Sequence, residues 1–459
     1  MTSPTATDTL DRLRAQLDGR VIEPGDADYD QARTLFMGGI DRRPAAVVLP
    51  ADSAEVAEVV SLARESGLEL AVRSGGHSGA AHSVVDGGIT LDLGAMRDLD
   101  IDLERRTAWA QTGLTAGEYT EAVGEHGLAT GFGDTRSVGI GGLALGGGVG
   151  FLSRLYGLTL DDALAAEIVT ADGQVLEIDS ENHPDLFWAI RGGGGNFGVV
   201  TRLKLRLHEV DNIVGGMLML PATPDVVRSF VAQAEAAPDE LSAIANVMPA
   251  PPMPFVPEER HGELVVMALM CFAGPPDEAE PVLDSFRSLA TPIADMLRPM
   301  PYPEVYPPDM EDYHPTAVSR TLFIDTVEAD TAELIVDRLS SSDATMRVVQ
   351  LRVLGGAVAR VPADATAFAH RDSKIMANVA AFWDGPEDKP RRQAWVEELA
   401  AELRQGDDGA YVNFLMDEGP DRVRAAYPDG TYERLARVKG EYDPANLFHN
   451  TQNIPPATG

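Results

Sequence analysis

The chain has 459 residues, and its 37 lysines and arginines against 72 aspartates and glutamates give a formal net charge of −35. This length exceeds one ordinary core and predicts two domains, while the charge makes nucleic-acid phosphates and anionic lipids poor partners. A single cysteine, Cys271, excludes an intrachain disulfide, a cysteine-rich zinc site and an iron–sulfur cluster held by this chain alone.

No targeting or membrane segment is visible in the sequence. Residues 1–14 lack the basic start and apolar centre of a signal peptide. Nor does any segment approach the roughly 18 consecutive apolar residues of a membrane span. We therefore expect a cytoplasmic protein without a membrane partner. Cys271 lies in the apolar run 264–272 and is expected to be a buried thiol.

The first third of the chain predicts alternating strands and helices. A strand over 45–49 precedes a helix that begins at Asp52, which together with Glu55 resembles a capping box. A buried strand over 68–72 follows that helix. A later helix begins at Thr115, with Glu118 three residues on as a possible capping partner. The β-α-β order indicates an α/β layer.

Glycines cluster in three segments of this region. The first is Arg73-Ser74-Gly75-Gly76-His77-Ser78-Gly79, the second covers 131–150, and the third covers 192–198. Because glycine lacks a Cβ, its backbone N–H groups can approach a ligand closely, and such a nest suits a phosphate. His77 can reach the same ligand with its ring. The alternative interpretation is a tight turn that carries a surface imidazole.

Two other ligands were considered for these residues. Residues 139–144 fit the pattern G-x-G-x-x-A of a nicotinamide dinucleotide site, and Asp161 lies where a ribose-binding acid would be. That motif should follow a strand, and 131–137 does not have a strand pattern, so the match is weak. His82 and His77 could form a metal pair, but no third ligand lies at a useful spacing, and we predict no metal site.

From residue 211 the glycine clusters stop, and strands alternate with helices at wide spacing. This pattern predicts an α+β domain with an antiparallel sheet and helices on one face. The proline-rich stretch 299–315 predicts an irregular surface loop. The last part, 410–459, is rich in turns and amides and is expected to fold back onto the first domain.

Four separated blocks carry a family resemblance: 73–78, 138–158, 185–198 and 442–456. The sequence resembles the FAD-linked oxidases of the vanillyl-alcohol oxidase superfamily, in the berberine-bridge-enzyme-like branch. This resemblance implies an α+β, two-domain, PCMH-type FAD-binding fold. Residues 1–210 and the returning segment 410–459 would form the FAD-binding domain. Residues 211–409 would form a substrate-binding domain whose antiparallel sheet is covered by helices.

The resemblance also implies FAD that is attached covalently through His77 to its 8α-methyl group. Thr135 stands where many relatives carry a second attaching cysteine, which indicates the singly attached subgroup that includes 6-hydroxy-D-nicotine oxidase. The backbone of 74–78 would hold the pyrophosphate, and 138–142 would lie against the isoalloxazine. The implied cofactor-binding residues are Arg73, Ser74, Gly75, Gly76, His77, Ser78, Gly79, Thr135, Val138, Gly139, Gly141, Gly142, Gly148, Val149, Gly198, Val200, Tyr411, Asn450 and Gln452.

The implied reaction is hydride transfer from a C–H bond of a small-molecule alcohol or amine to flavin N5. Reoxidation by O₂ would then give hydrogen peroxide. Val138 stands where the family controls oxygen access, and a small valine favours an oxidase. A dehydrogenase of the same fold with another acceptor and a non-catalytic flavin-binding protein remain open. So do a monomer and a homodimer.

Tyr411, Asn413 and Asn378 are the candidate catalytic residues. Tyr411 and Asn413 match the family's Tyr-x-Asn motif, and period-2 alternation places both on one face of a strand. Tyr411 could be a base if a cation lies nearby, because an unperturbed phenol titrates at about pH 10. It could equally be a buried, hydrogen-bonded tyrosine. Asn378, Gln350 and Arg352 could line the cleft, although an ordinary half-exposed strand explains them better.

Overall fold

The computed structural model describes residues 6–210, 212–308, 313–406 and 408–457. Its strands are β1 (Arg20–Ile22), β2 (Ala46–Leu49), β3 (Leu70–Arg73), β4 (Ile89–Asp92), β5 (Leu99–Asp102), β6 (Thr107–Gln111), β7 (Leu128–Ala129), β8 (Ala163–Val169), β9 (Val175–Asp179), β10 (Val199–Arg206), β11 (His208–Glu209), β12 (Asn212–Pro221), β13 (Leu241–Pro249), β14 (Leu264–Phe272), β15 (Ala294–Asp295), β16 (Arg298–Pro301), β17 (Ala317–Ile324), β18 (Arg347–Val353) and β19 (Ile375–Phe382).

The helices complete the element order. They are α1 (Ala6–Gln16), α2 (Tyr29–Arg33), α3 (Ser53–Ser66), α4 (Ala116–Gly124), α5 (Ile140–Gly146), α6 (Ser153–Tyr156), α7 (Pro184–Ile190), α8 (Pro224–Ala236), α9 (Pro276–Arg287), α10 (Ala329–Ser341), α11 (Ala357–Arg360), α12 (Lys389–Leu403), α13 (Pro420–Ala425) and α14 (Asp429–Tyr442). No helix in the described ranges is both long enough and apolar enough to cross a bilayer.

Two larger sheets come from the part of the chain before residue 210. In the first, of order β1-β2-β4-β3, both β2 and β3 run parallel to β4. Helix α3 connects β2 to β3 and packs on this sheet through Val56 and Val59, against Val48 and Leu91. The second sheet is antiparallel, of order β5-β6-β10-β8-β9. The predicted β-α-β layer in the first third is confirmed.

The two helix starts predicted from capping patterns differ in detail. The Asp52 carboxylate accepts the Glu55 N–H at 2.9 Å. The Glu55 carboxylate bonds instead to the Ala51 N–H at 2.7 Å, so only half of that capping box forms. At α4, Thr115 and Glu118 form the complete reciprocal pair.

A third, antiparallel sheet is built from residues 212–382, in the order β15-β12-β14-β13-β18-β19-β17, with β16 also paired to β12. Strand side chains alternate between its two faces. One face packs on α8, α9, α10 and α12 through residues such as Phe230, Leu283, Ile335 and Leu399. The predicted antiparallel sheet with helices on one face is confirmed. Its other face points toward the N-terminal part of the chain.

The proline-rich stretch is more regular than predicted. β16 pairs with β12 from Arg298 to Pro301, and a 3₁₀ turn over Tyr302–Val305 follows. Tyr302 and Tyr306 are buried there. Prolines are tolerated because β16 is an edge strand, where a missing N–H interrupts no ladder. Residues 309–312 of this stretch lie outside the described residues.

Hydrogen bonds connect the C-terminal segment to the N-terminal half. The ammonium of Lys439, which is fully buried, donates to the Asp443 carboxylate at 2.6 Å and to the Asn196 carbonyl at 2.7 Å. Further along, the Asn450 amide donates to the Leu70 carbonyl at 3.0 Å. These bonds tie the tail to the third glycine segment and to β3.

Candidate active site

The first two glycine segments touch through their backbones. A Cβ on Gly75 would lie 2.2 Å from the Gly139 nitrogen, and a Cβ on Gly139 would lie 2.3 Å from the Gly75 nitrogen. The Ser74 hydroxyl donates to the Thr112 carbonyl at 2.5 Å, which anchors this loop on a neighbouring strand connection. Only glycine fits at either contact position, and the contact brings the His77 loop against the start of α5.

His77 lies half-buried on the loop after β3. Its ring stacks on Phe36, with ring centroids 4.1 Å apart and planes 18° apart. The Phe36 N–H donates to the Gly76 carbonyl at 3.2 Å. Behind the loop, the Arg73 guanidinium is bound to the Asp92 carboxylate at 2.5 Å. The side chain of Arg73 thus fixes the loop, and the imidazole has a defined orientation.

Helix α5 follows its N-cap residue Gly139 and exposes backbone on its first turn. Gly142 is exposed, and among the described residues no atom outside its own helix turn lies within 4 Å of the position that a Cβ would take. Gly141 instead turns inward, where its Cβ would lie 2.8 Å from the Thr112 Cβ. The outer side of this turn is bare main chain, against which a flat ring system fits without steric conflict. The residues present therefore fit a flavin beside His77.

The later glycines of this segment make room for protein side chains. A Cβ on Gly146 would lie 2.0 Å from Asn413 Oδ1, and one on Gly147 would lie 2.7 Å from Tyr411 Cε2. Gly148 has φ +85°, a left-handed conformation that favours glycine. The glycine density at 146–148 thus reflects the packing of the Tyr-x-Asn pair as much as any cofactor.

Tyr411 and Asn413 do meet, but not on a strand. Tyr411 precedes a 3₁₀ turn over Val412–Phe414, and the Phe414 N–H donates to the Tyr411 carbonyl at 2.9 Å. The strand prediction is wrong, because these backbone groups bond within the turn rather than along a ladder. The Asn413 amide donates to the Tyr411 hydroxyl at 3.0 Å and to the Leu143 carbonyl at 2.9 Å.

The protonation state of Tyr411 follows from its surroundings. Its side chain is buried, and burial raises the pKa of Tyr411 above its ordinary value; the Gly148 N–H, the Asn413 amide and the Arg352 charge oppose that shift without reversing it. The phenol is therefore protonated at neutral pH. Its oxygen accepts the Gly148 N–H at 2.8 Å in addition to Asn413, so the hydroxyl proton is left to be donated.

Arg352 links the third sheet to the loop before α5. Its buried guanidinium donates to the Asp134 carboxylate at 2.7 Å, to Gln350 Oε1 at 2.8 Å and to the Val149 carbonyl at 3.3 Å. It also lies over the Phe414 ring, 5.1 Å from the centroid. The interpretation of Arg352 as an ordinary half-exposed strand residue is wrong. Sequence reasoning missed Asp134, because a loop acid beside a glycine carries no pattern.

A polar row crosses the same face of the sheet. Asn246, Gln350, Asn378 and Thr321 are successive register neighbours on β13, β18, β19 and β17. The Gln350 amide donates to Asn246 Oδ1 at 2.8 Å. Asn378 Oδ1 and Thr321 Oγ1 are buried and have no hydrogen-bond partner among the described residues. An unpaired buried polar atom costs about 1–3 kcal/mol, so these two atoms mark a place for a polar ligand group.

Four more of the residues that the resemblance implied pack or bond within the protein. A Cβ on Gly198 would lie 2.5 Å from the Val169 carbonyl oxygen, and the Val200 side chain is buried in the core. The Gln452 amide donates to the Leu415 carbonyl at 3.0 Å. Thr135 Oγ1 donates to Asp134 Oδ1 at 3.3 Å, beside the Arg352 ion pair.

The rival ligands are poorly supported by this geometry. The G-x-G-x-x-A residues start α5 after a turn rather than directly after a strand, and Arg371 holds both oxygens of the Asp161 carboxylate, at 2.7 and 2.8 Å. Burial lowers the pKa of His82 to about 4. Across the described ranges, no three His, Cys, Asp or Glu side chains form a group suited to a metal ion.

Known proteins match this chain along most of its length. The family model described as FAD binding domain matches residues 44–179, and the model described as berberine and berberine like matches residues 410–455. (R)-6-hydroxynicotine oxidase of Paenarthrobacter nicotinovorans is 32% identical over 456 residues, which cover 96% of this chain and 97% of that protein.

Solved structures share the fold. The crystal structure of 6-hydroxy-D-nicotine oxidase from Arthrobacter nicotinovorans superposes with a TM-score of 0.85 at 28% identity, covering 99% of this chain and 100% of that one. Glucooligosaccharide oxidase from Acremonium strictum gives a TM-score of 0.85 at 22% identity, covering 98% of this chain and 100% of that one.

The fold and the site define an FAD-dependent oxidoreductase with the PCMH-type FAD-binding fold. The two family models and the full-length relative indicate a narrower class of protein. The chain belongs to the berberine-bridge-enzyme-like family of FAD-linked oxidoreductases, and the expected family is confirmed.

Proposed function

We propose that this protein is a flavoprotein oxidase with FAD bound covalently to His77. It would oxidise a small uncharged substrate by hydride transfer and return the electrons to O₂ as hydrogen peroxide. The observation that carries the proposal is the oriented, half-buried His77 imidazole on a loop packed against the bare first turn of α5. Glucooligosaccharide oxidase is described with a 6-S-cysteinyl, 8α-N1-histidyl FAD; Thr135 here supports a histidyl bond alone.

We assign the cofactor to main chain from the first two glycine segments, with residues 1–210 and 410–459 as its domain and 211–409 as the substrate domain. FAD supplies two-electron redox chemistry when it is bound. The protein supplies orientation. The Arg352–Asp134 ion pair joins the sheet of the substrate domain to the loop before α5, and it would keep that sheet at a fixed distance above the ring system.

The face of the third sheet that carries the polar row has little net charge, which supports an uncharged substrate. On that face of β13, β17, β18 and β19, Arg352 is the one charged side chain among the strand residues that the structure describes, and Asp134 already neutralises it. A bound ammonium group would lose its hydration without gaining a free carboxylate. The unpaired oxygens of Asn378 and Thr321 suit a hydroxyl or a neutral N–H donor.

The state of Tyr411 favours an amine bound as its free base. An alcohol must pass its O–H proton to a base, and a buried phenol with a raised pKa is not a base at neutral pH. A neutral amine needs no such base, and the Tyr411 hydroxyl can donate a hydrogen bond to it. Alcohol oxidation is the second candidate, because the two N–H groups on the Tyr411 oxygen would stabilise a phenolate at alkaline pH.

Acid precipitation tests the covalent bond directly. The wild-type protein should keep flavin fluorescence on a denaturing gel, and His77→Ala should release its flavin into the acid supernatant. His82→Ala is the matched control, since it removes a nearby histidine of the same connection and should keep the fluorescence. If wild-type protein releases all its flavin into acid, the attachment is absent.

Reoxidation and substrate screening test the reaction. Flavin reduced with dithionite should reoxidise within seconds in air-saturated buffer, with peroxide formed in equal amount. Slow reoxidation in air together with fast reoxidation by a quinone would indicate the dehydrogenase instead. A peroxide-coupled screen then covers amines, sugars, phenols and polyketide alcohols. Prompt reoxidation with no substrate that ever bleaches the flavin would favour a non-catalytic flavin-binding protein.

A further inference from the structure

We propose that Phe36 is a positioning residue for the attachment of FAD to His77. The inference depends on the attachment proposed above and adds a residue to it. The two rings stack at 4.1 Å with an angle of 18° between their planes, and ring pairs in this geometry attract each other beyond their contact area. Phe36 precedes His77 by 41 positions, so it belongs to a different loop and acts on the imidazole from outside the glycine segment.

Phe36 is itself held in place from several directions. Its N–H donates to the Gly76 carbonyl at 3.2 Å, next to the imidazole it stacks on. The edge of the Tyr313 ring meets it at 6.3 Å between centroids. The His314 ring nitrogen lies 2.9 Å from the Leu35 carbonyl oxygen. This contact connects the segment before β17 to the loop that carries Phe36. A ring fixed in this way can define the plane of the imidazole.

The orientation of the imidazole matters because of how it reacts. Its nucleophilic lone pair lies in the plane of the ring, so a neighbour stacked on the face does not itself block the nitrogen while it restricts rotation about χ2. Phe36 has no proton to give or take, so its effect on the reaction is positional. Misplacing a reacting group by about 1 Å can cost ~100-fold in rate.

The attachment step is an oxidation of the methyl group by the flavin ring system itself. A bond forms between an imidazole nitrogen and the carbon of the 8α-methyl group, and one methyl C–H bond and the imidazole N–H bond break. Both hydrogens leave as protons, and the flavin ring system takes up two protons and the two electrons of the broken C–H bond. Molecular oxygen then removes two electrons and two protons from it as hydrogen peroxide. Phe36 takes part in none of these transfers.

A second stacked pair in the protein provides a matched control. The Tyr156 ring stacks on His208 at 3.9 Å with planes 10° apart. His208 is also held by its Nε2 contact with Asp162 at 2.8 Å, and this pair lies outside the glycine segments. Tyr156→Leu removes the same kind of contact without touching the attachment loop.

The experiment uses the full-length chain produced under riboflavin limitation and then mixed with FAD in air. Samples quenched with acid over time give the attached fraction of the bound flavin by gel fluorescence. We expect Phe36→Leu to bind FAD normally but attach it at least about tenfold more slowly. Phe36→Tyr, which keeps the stacked ring, should attach within about twofold of wild type. Tyr156→Leu should attach at the wild-type rate.

Three results would overturn the inference: wild-type attachment kinetics in Phe36→Leu, equally slow attachment in Phe36→Tyr, or complete loss of FAD binding in Phe36→Leu. The last would make Phe36 a binding residue. If Phe36→Leu does not fold, Phe36→Met takes its place under the same criteria. Failure of the attachment itself is distinguishable, because wild-type protein would then show no acid-stable fluorescence at any time.

Discussion

The ion pair between Lys439 and Asp443 decides how firmly the C-terminal segment is held. Both side chains are fully buried, and the ammonium and the carboxylate are 2.6 Å apart. The ammonium also donates to the carbonyls of Asn196, at 2.7 Å, and Phe448, at 3.0 Å. Burial lowers the pKa of Lys439, and the Asp443 carboxylate opposes that shift. Three acceptors therefore surround the three protons of one desolvated charge.

Asp443→Asn removes the negative partner and leaves the lysine buried. Breaking a buried pair in this way costs about 3–5 kcal/mol. The unfolding entropy is about 2.1 cal/mol/K per residue. For a chain of this length, the free energy of unfolding therefore changes by roughly 1 kcal/mol for each degree near Tm. We therefore expect Asp443→Asn to lower Tm by about 3–5 °C if the whole chain unfolds as one unit. Release of the tail should also loosen β3 beneath the His77 loop, because the Asn450 amide donates to the Leu70 carbonyl.

Differential scanning calorimetry at neutral pH measures this change. Asp408→Asn is the matched control, since Arg404 and Asp408 form a pair with the same i,i+4 spacing at 2.7 Å but with side chains 49% and 70% exposed. Exposed ion pairs are worth about 0–1 kcal/mol, so the control should lose no more than about 1 °C. The double variant Lys439→Met with Asp443→Leu should not recover the stability. It buries no charge, but it leaves the carbonyls of Asn196 and Phe448 without a donor and the N–H groups of Leu447 and Phe448 without an acceptor, and each unpaired buried group costs about 1–3 kcal/mol.

Two outcomes would refute this reasoning. One is an Asp443→Asn protein that unfolds within about 1 °C of wild type. The other is a loss of equal size in Asp408→Asn, which would mean that burial does not distinguish the two pairs.

Three further predictions follow from the site. Gly139→Ala should lower both Tm and flavin content, because its Cβ would lie 2.2 Å from Ser74 Oγ; overpacking of this kind costs about 1–3 kcal/mol. His82→Gln should reduce acid destabilisation: the folded-state pKa of His82 is about 4 against 6.5, so wild type loses about 3 kcal/mol as pH falls through that window. Tyr411→Phe should lower kcat/KM for an amine without moving its pH profile, whereas for an alcohol it should abolish an alkaline rise.

Each of these has its own control. Gly142→Ala should leave apoprotein Tm unchanged and weaken flavin binding, since its Cβ meets no described atom beyond its own helix turn within 4 Å. Equal Tm losses at both glycines would contradict the argument. For His82, urea unfolding at a series of pH values should show wild type and variant diverging below pH 6.5; parallel curves would contradict it. For Tyr411, an unchanged alcohol profile in the phenylalanine variant would remove the phenolate from the mechanism.

Local features of the fold could be predicted from the sequence. The capping pair Thr115–Glu118 and the helix cap at Asp52 depend on residues a few positions apart, and both form. The alternation of strands with helices after residue 211 predicts a sheet with helices on one face, and α8, α9, α10 and α12 cover one face of the third sheet. These features are set by nearest neighbours along the chain, and sequence patterns record such neighbours directly.

The parts of the site that the sequence did not predict depend on contacts between distant segments. Arg352 and Asp134 are 218 positions apart, and neither lies in a pattern that names the other. Phe36 has no local feature that would connect it with His77. Tyr411 and Asn413 were placed on a strand because their spacing fits one, yet their backbone bonds within a turn, and only the surrounding packing selects between the two.

The glycines show how far a motif can be interpreted without its partners. Glycine at 146 and 147 predicts that another group approaches the backbone closely, and the sequence alone suggests that this group is the cofactor. In the structure, the atoms that approach belong to Asn413 and Tyr411, so the glycine segment and the Tyr-x-Asn motif form one packed unit. The same residues that bring the two ends of the chain together also fix the Tyr411 oxygen on the Gly148 N–H. A change at 146–148 should therefore alter the state of Tyr411 even where no glycine there touches the flavin.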